Sequence, residues 1–246
     1  MAEASVRGTF ATVFADSFAG NPVGACGGHR HRLERPLVTL ENGTSNGTDE
    51  QPEEELAIGE VPMAVYELAE ACRRFVLSAV GVELDYSAET LPLVDEYLRV
   101  VKQSLADRPE AEPLVAPAVA AYFGEVIRRR IDGFWRRKGR DGNASEEWLL
   151  TARRTYLSMS PLGMVLEAIS EGAERSGPSA ELDFPEDERP AVETRLSVFP
   201  PVPEDEYYLL STRLEVIEVV YEALRERMKA DGRESLVYDE EDFRDE

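Results

Sequence analysis

Histidine and cysteine are scarce in this chain of 246 residues, with two of each, and three of those four residues sit together in CGGHRHR as Cys26, His29 and His31. A Ser-His-Asp or Cys-His mechanism would have to take its base from that Gly-rich stretch, which lacks the pattern of an element able to fix catalytic geometry. Nucleophilic hydrolysis of that kind is therefore disfavoured. The same three residues are weak candidates for a metal site, because structural zinc wants four ligands at a different spacing. Neither a metal nor a cofactor is expected. No GxGxxG follows a strand pattern and no Gly-rich loop ends in lysine, so nucleotide chemistry is disfavoured as well. Two cysteines make no disulfide framework, and Cys72 falls on a helical apolar stripe as a small buried hydrophobe. Runs of 18 apolar residues are missing, and the start MAEASVRGTFATVFADSFAG has neither the basic nor the long apolar region of a secretory signal. These absences predict a protein of the cytoplasm that does not enter a membrane.

What is present in excess is carboxylate. The chain carries 49 acidic residues against 27 basic ones, a formal net charge of −22. A surface of that sign repels phosphate at long range, which disfavours nucleic acid and anionic membranes and favours a basic protein as partner. The alternative is that the charge only keeps the protein soluble.

The pattern divides the chain into three parts. Residues 1–60 read as a flexible or partly extended arm, with one short strand in RPLVTL (35–40) and a polar connector in ENGTSNGTDEQPEEE (41–55). Residues 61–232 read as a single α+β domain. The tail from 233 to 246, ending in YDEEDFRDE, reads as acidic and unstructured.

Within the domain, Val65, Leu68, Ala69, Cys72, Phe75 and Val76 recur at helical spacing between Pro62 and Gly81. Leu91, Val94, Leu98, Val101 and Leu105 mark a second amphipathic helix, with Ser87 as its expected N-cap. A third spans about 113–131, with Gly133 expected to end it in the left-handed region. FWRRKGRDGN and EWLLTARRTYLSM predict a β-hairpin in which Trp135 and Trp148 can pair across the strands. Ser160 and Pro161 announce a further helix, TRLSVF (194–199) is a candidate strand, and Leu210, Leu214, Ile217, Tyr221, Leu224 and Met228 stripe a last helix within 204–230. That last stripe either closes the core or offers a seam to a partner.

Two constellations could carry function. The first is the basic run Arg128, Arg129, Arg130, Arg136, Arg137, Lys138 and Arg140, interleaved with Phe134 and Trp135. Arginine beside aromatics can grip phosphate and stack on bases. It can equally pair with the chain's own acidic segments, as an internal clasp or a homodimer contact. The candidate binding residues are Arg128, Arg129, Arg130, Arg136, Arg137 and Trp135. The second constellation is carboxylate: Asp85, Glu125 and Asp132, with Asp95 nearby in sequence, could meet around a cleft as acid and base or as ligands of a hard cation. Each also has a structural reading, Asp85 as a turn brace and Glu125 as a helical partner of Arg128 or Arg129.

VELDYSAETLPLVDEYL, then AAYFGEVIRRRIDGFW, then a hairpin and SPLGMVLEAISEG, resemble a family of uncharacterised bacterial proteins over residues 62–173. The resemblance implies a bacterial, cytoplasmic α+β protein and brings no activity with it. The sequence reading is thus a noncatalytic acidic interaction protein of regulatory or immunity type. Its alternative is a carboxylate-based or metal-dependent hydrolase with a cleft near Asp85, Glu125 and Asp132.

Overall fold

A computed structural model describes residues 61–138, 148–173, 177–203 and 206–243. The arm 1–60, with its strand at 35–40, its connector and Cys26, His29 and His31, lies outside the described residues, as do Arg140 and the hairpin turn.

Helix α1 (Met63–Val80) buries Val65, Ala69, Cys72 and Val76, the stripe its spacing dictates, and ends where Gly81 adopts φ 79° and its N–H reaches the Leu77 carbonyl at 3.0 Å. Burial pushes the Cys72 thiol up to about 12, so it stays an inert thiol. Helix α2 (Leu91–Asp107) follows a 3-10 turn, Ala88–Thr90. Its approach is braced by Asp85 instead of an N-cap at Ser87: the Asp85 carboxylate accepts from the Ser87 N–H at 2.9 Å and the Thr90 hydroxyl at 3.3 Å.

Helix α3 (Glu112–Arg130) is the centre of the fold. Residues Ala118 to Arg128 are buried without interruption, because Ala118, Ala120, Ala121 and Gly124 are small enough for α1 and the following sheet and helix to close on it from several sides. The residue that turns the chain out of α3 is Asp132, at φ 50°, and not Gly133. Gly133 is already the first residue of β1, and a side chain there would press on the Thr151 carbonyl and the Arg128 backbone at 3.3 and 3.4 Å.

Strands β1 (Gly133–Arg137), β2 (Trp148–Ala152), β3 (Ser158–Met159) and β4 (Leu182–Asp183) form one antiparallel sheet in sequence order. Trp135 stands opposite Leu150 and Trp148 opposite Arg137, so the tryptophans are diagonal neighbours on one face and not a direct pair. Helix α4 (Pro161–Ser170) starts as expected, with the Ser160 hydroxyl accepting from the Gly163 N–H at 3.1 Å.

Of the residues expected as a strand at 194–199, the first three belong to helix α5 (Arg189–Leu196) and the rest to the turn that follows it. Pro190 sits in its first turn, and the Ser197 N–H closes on the Glu193 carbonyl at 2.9 Å. The segment lies against α6 rather than a sheet edge, so its hydrogen bonds are satisfied within the helix.

Helix α6 (Leu210–Ala230) buries five of the six predicted stripe positions, with Tyr221 half-buried, so this face closes the core. Leu209 gives α6 no side-chain cap. Asp95 of α2 supplies it, accepting from the Leu210 N–H at 2.7 Å, the Ser211 N–H at 3.2 Å and the Ser211 hydroxyl at 2.6 Å. Burial raises the Asp95 pKa, and the three bonds oppose that rise. Asp95→Ala leaves those donors facing a cavity and is expected to cost about 1–2 kcal/mol, read as a lower urea midpoint at unchanged slope.

The tail departs from expectation. Its described part ends in a 3-10 turn (Glu240–Phe243) laid against the sheet, with Phe243 buried. Among the described residues no helix is long and apolar enough to cross a membrane.

Candidate functional site

The last turn of α3 carries the three consecutive arginines, where cations complement the unpaired carbonyls of the helix end. Successive helical residues point about 100° apart, so the three cannot share a surface. Arg128 turns inward. Its Nε and Nη2 donate to Glu125 Oε1 and Oε2 at 2.9 and 3.1 Å, a bidentate pair 6% and 3% exposed at its two residues. The Trp135 indole N–H adds a third bond to the same Oε1 at 2.6 Å, which seats the indole over Gly124. Arg130 turns the other way and pairs with Glu218 of α6.

Arg129 faces solvent, 4.4 Å above the ring of Tyr86, with the Arg73 guanidinium 5.5 Å from the same ring. Tyr86 takes φ 65°, a strained value for a bulky side chain. The turn is held by what surrounds it. The Tyr86 N–H donates to the Tyr122 hydroxyl at 3.0 Å, Thr90 lies 2.7 Å from that hydroxyl, and the two tyrosine rings stack 4.9 Å apart. The Tyr86 hydroxyl donates to Glu70 at 2.8 Å, as does Arg73. Burial, with the Glu70 bond second, holds the Tyr86 phenol well above its ordinary pKa, so it acts as a donor.

β1 then alternates its cations between faces. Arg137 shares a face with Trp135 and Trp148, its guanidinium 5.3 Å from the Trp148 ring. Arg136 points to the outer face, is 4% exposed, and donates to Thr151 at 3.0 Å and Ser158 at 3.3 Å. The candidate binding residues Arg128, Arg129, Arg130, Arg136, Arg137 and Trp135 are thereby spread over the interior, two faces of the sheet and two flanks of α3.

The candidate carboxylates are placed separately as well. Asp85 is exposed and braces its own turn; the Ser87 hydrogen bonds hold its pKa below the ordinary value. Glu125 is saturated by Arg128 and Trp135. Asp132 is exposed and meets Arg154 at 3.4 Å and Arg153 at 3.9 Å. Three carboxylates engaged in three separate networks offer no shared acid–base pair around one substrate. Among the described residues no three His, Cys, Asp or Glu side chains gather to hold a metal ion. A hollow bordered by Val65, Leu68, Trp135, Trp148 and Leu162 has a volume of about 20 Å³, room for about one water.

Two features escaped the sequence reading. Tyr86 lies in the quoted LDYS turn, but its conformation depends on Tyr122, 36 residues on. The second is the solvent side of α6. Glu215, Glu218, Glu222 and Glu226 recur at helical spacing opposite the buried stripe, a pattern legible in the heptads but eclipsed there by the apolar residues. Glu218 pairs with Arg130 and Glu222 with Arg195 at 3.6 Å, while Glu215 and Glu226 carry no ion pair among the described residues.

The fold and these networks define an α+β protein in which the arginines among the described residues largely serve its own carboxylates and aromatics. Comparison with known protein families, curated proteins and solved structures finds no match for the chain.

Proposed function

We propose that the protein is a noncatalytic interaction protein, of regulatory or immunity type, that binds a basic protein partner through acidic surface centred on α6. The observation that supports this is the disposition of charge. Arg128, Arg130, Arg153, Arg154, Arg195 and Arg227 are engaged with the chain's own carboxylates, so the excess behind the net charge of −22 is left to the surface. On α6, Glu215 and Glu226 carry no ion pair among the described residues and stand in one row with Glu218 and Glu222, which pair with Arg130 and Arg195, on a helix whose opposite face is locked in the core. A fixed row of like charge steers a complementary surface and repels another copy of the same chain. A bacterial cytoplasmic setting fits this reading, in line with the resemblance over 62–173 and the free thiol of Cys72.

The test is capture from native lysate by the tagged chain at low and high salt, with mass spectrometry of what is retained. One stoichiometric basic protein, held at low salt and lost at high salt, is expected. The triple variant Glu215→Lys, Glu222→Lys, Glu226→Lys should retain it at least about tenfold less, since each reversed charge acts on encounter and affinity together. Equal capture by the variant, or no partner at either salt, would remove this reading.

A further inference from the structure

Between α5 and α6 the chain runs SVFPPVP, residues 197–203, a stretch that the charge networks leave unused. Val198 is the most exposed large apolar side chain among the described residues, at 77%, and Phe199 beside it is 46% exposed. Pro200, Pro201 and Pro203 are exposed as well, while Val202 is half-buried. A single proline suffices to stop a helix such as α5. Three of them, with two uncovered apolar side chains ahead, are more than a connector uses.

Covalent chemistry sets the shape of this stretch without help from neighbours. Each proline ring holds its own φ near about −65°. Each also presses on the residue before it, which confines Phe199, Pro200 and Val202 to extended backbone. The conformation these restrictions share is the polyproline II helix, and residues 200–203 belong to no helix or strand that would oppose it. With about three residues per turn, that helix aligns Pro200 and Pro203 on one ridge, and both are exposed. The ends are pinned: the Phe199 N–H bonds the Leu196 carbonyl at 3.1 Å, and the Pro203 carbonyl accepts from the Glu206 N–H at 3.0 Å. A partner thus meets a preset ligand and loses little conformational entropy in binding it.

With no N–H at three of its positions, the segment is a poor strand to add to a sheet edge. It offers carbonyls and apolar ridges instead. The groove that matches it has flat aromatic walls for the rings, with indole N–H or phenol O–H donors for the carbonyls. Exposed carboxylates stand to either side, Glu193 on α5 and Glu206 past the prolines, and they match a basic rim.

We infer that residues 198–203 are a docking segment for a protein domain with an aromatic-lined groove and a basic rim. This inference is independent of the α6 row, which presents charge and no apolar ridge.

The test uses the full chain, immobilised, and three purified probes, an SH3, a WW and an EVH1 domain, each of which offers proline-rich ligands an aromatic-lined groove. At least one of them is expected to bind saturably. The variant Pro200→Ala, Pro203→Ala should bind that probe at least about tenfold more weakly, because it loses both the ridge and the preset backbone. Binding by no probe, or equal binding by a folded variant, would overturn the inference. Competition on the unaltered chain supplies a measurement that does not depend on the variant folding. The peptide SVFPPVP should displace the probe, and SVFAPVA should need at least about tenfold more to do so. Equal displacement by the two peptides, or by neither, would show that the prolines are not what is recognised and overturn it.

Discussion

Replacing Glu125 with alanine is expected to destabilise the protein by about 3–5 kcal/mol, the cost of leaving one member of a buried ion pair without the other. Arg128 is 6% exposed and has its guanidinium turned into the Glu125 carboxylate, and the Trp135 indole N–H bonds the same oxygen. Removing the acid takes the carboxylate from a buried guanidinium and the acceptor from a buried indole together. Thermal unfolding should show the loss as a fall in Tm of roughly 6–20 °C. Glu125→Gln separates the two parts: it keeps an acceptor for the indole and loses the charge, so it should recover only part of the stability. The double variant Glu125→Leu, Arg128→Met should cost less than Glu125→Ala, because no unpaired charge remains, with the Trp135 N–H as residual penalty. A double variant as unstable as the single one would show that the indole, not the ion pair, dominates the site.

The second large effect is expected at Gly163, in the first turn of α4. A methyl group there would stand 2.2 Å from the Ser179 carbonyl oxygen, 2.6 Å from its carbon and 2.8 Å from the Pro178 oxygen. These are main-chain atoms, so no rotamer change relieves the clash; the 178–179 segment that leads into β4 must move. Alanine is the better helix former by about 1 kcal/mol. Overpacking costs about 1–3 kcal/mol and occasionally more, and contacts of 2.2–2.8 Å to main-chain atoms lie at the upper end, so the sign is set by the clash. Urea unfolding of Gly163→Ala should show a clear loss of stability. Gly81→Ala gives the contrast, since a side chain there meets nothing within 4 Å and the cost is that of its φ of 79° alone.

These two positions also show what could be read in the sequence. The stripe of α1, the Ser160–Pro161 start of α4 and the core face of α6 were legible because each is a local regularity, confirmed for α1 by a stop and for α4 by a cap beside it. The α+β class followed from them. Asp132 taking the left-handed position ahead of Gly133, and α5 replacing a strand, were not legible, since both depend on what the segment packs against. The candidate site suffered most. Consecutive basic residues look like one patch on paper, yet a helical turn sends Arg128 inward to Glu125 and Arg130 outward to Glu218, and the pleat of β1 parts Arg136 from Arg137. Phe243 was hidden for the opposite reason: a single aromatic in an acidic run carries no period, and its burial is decided by a sheet face about a hundred residues earlier in the chain.

The cap that Asp95 gives to α6 spans 115 positions of sequence. On a ribosome the carboxylate emerges well before the helix it serves, by roughly 6–23 s at ordinary elongation speeds. During that interval Asp95 stays hydrated and ionised, and the groove of α2 against which α6 will lie remains open to water. Closure of this part of the core is thus timed by the arrival of Leu210 and Ser211, which makes the nascent chain a species with an exposed apolar seam and gives chaperones a defined window in which to act.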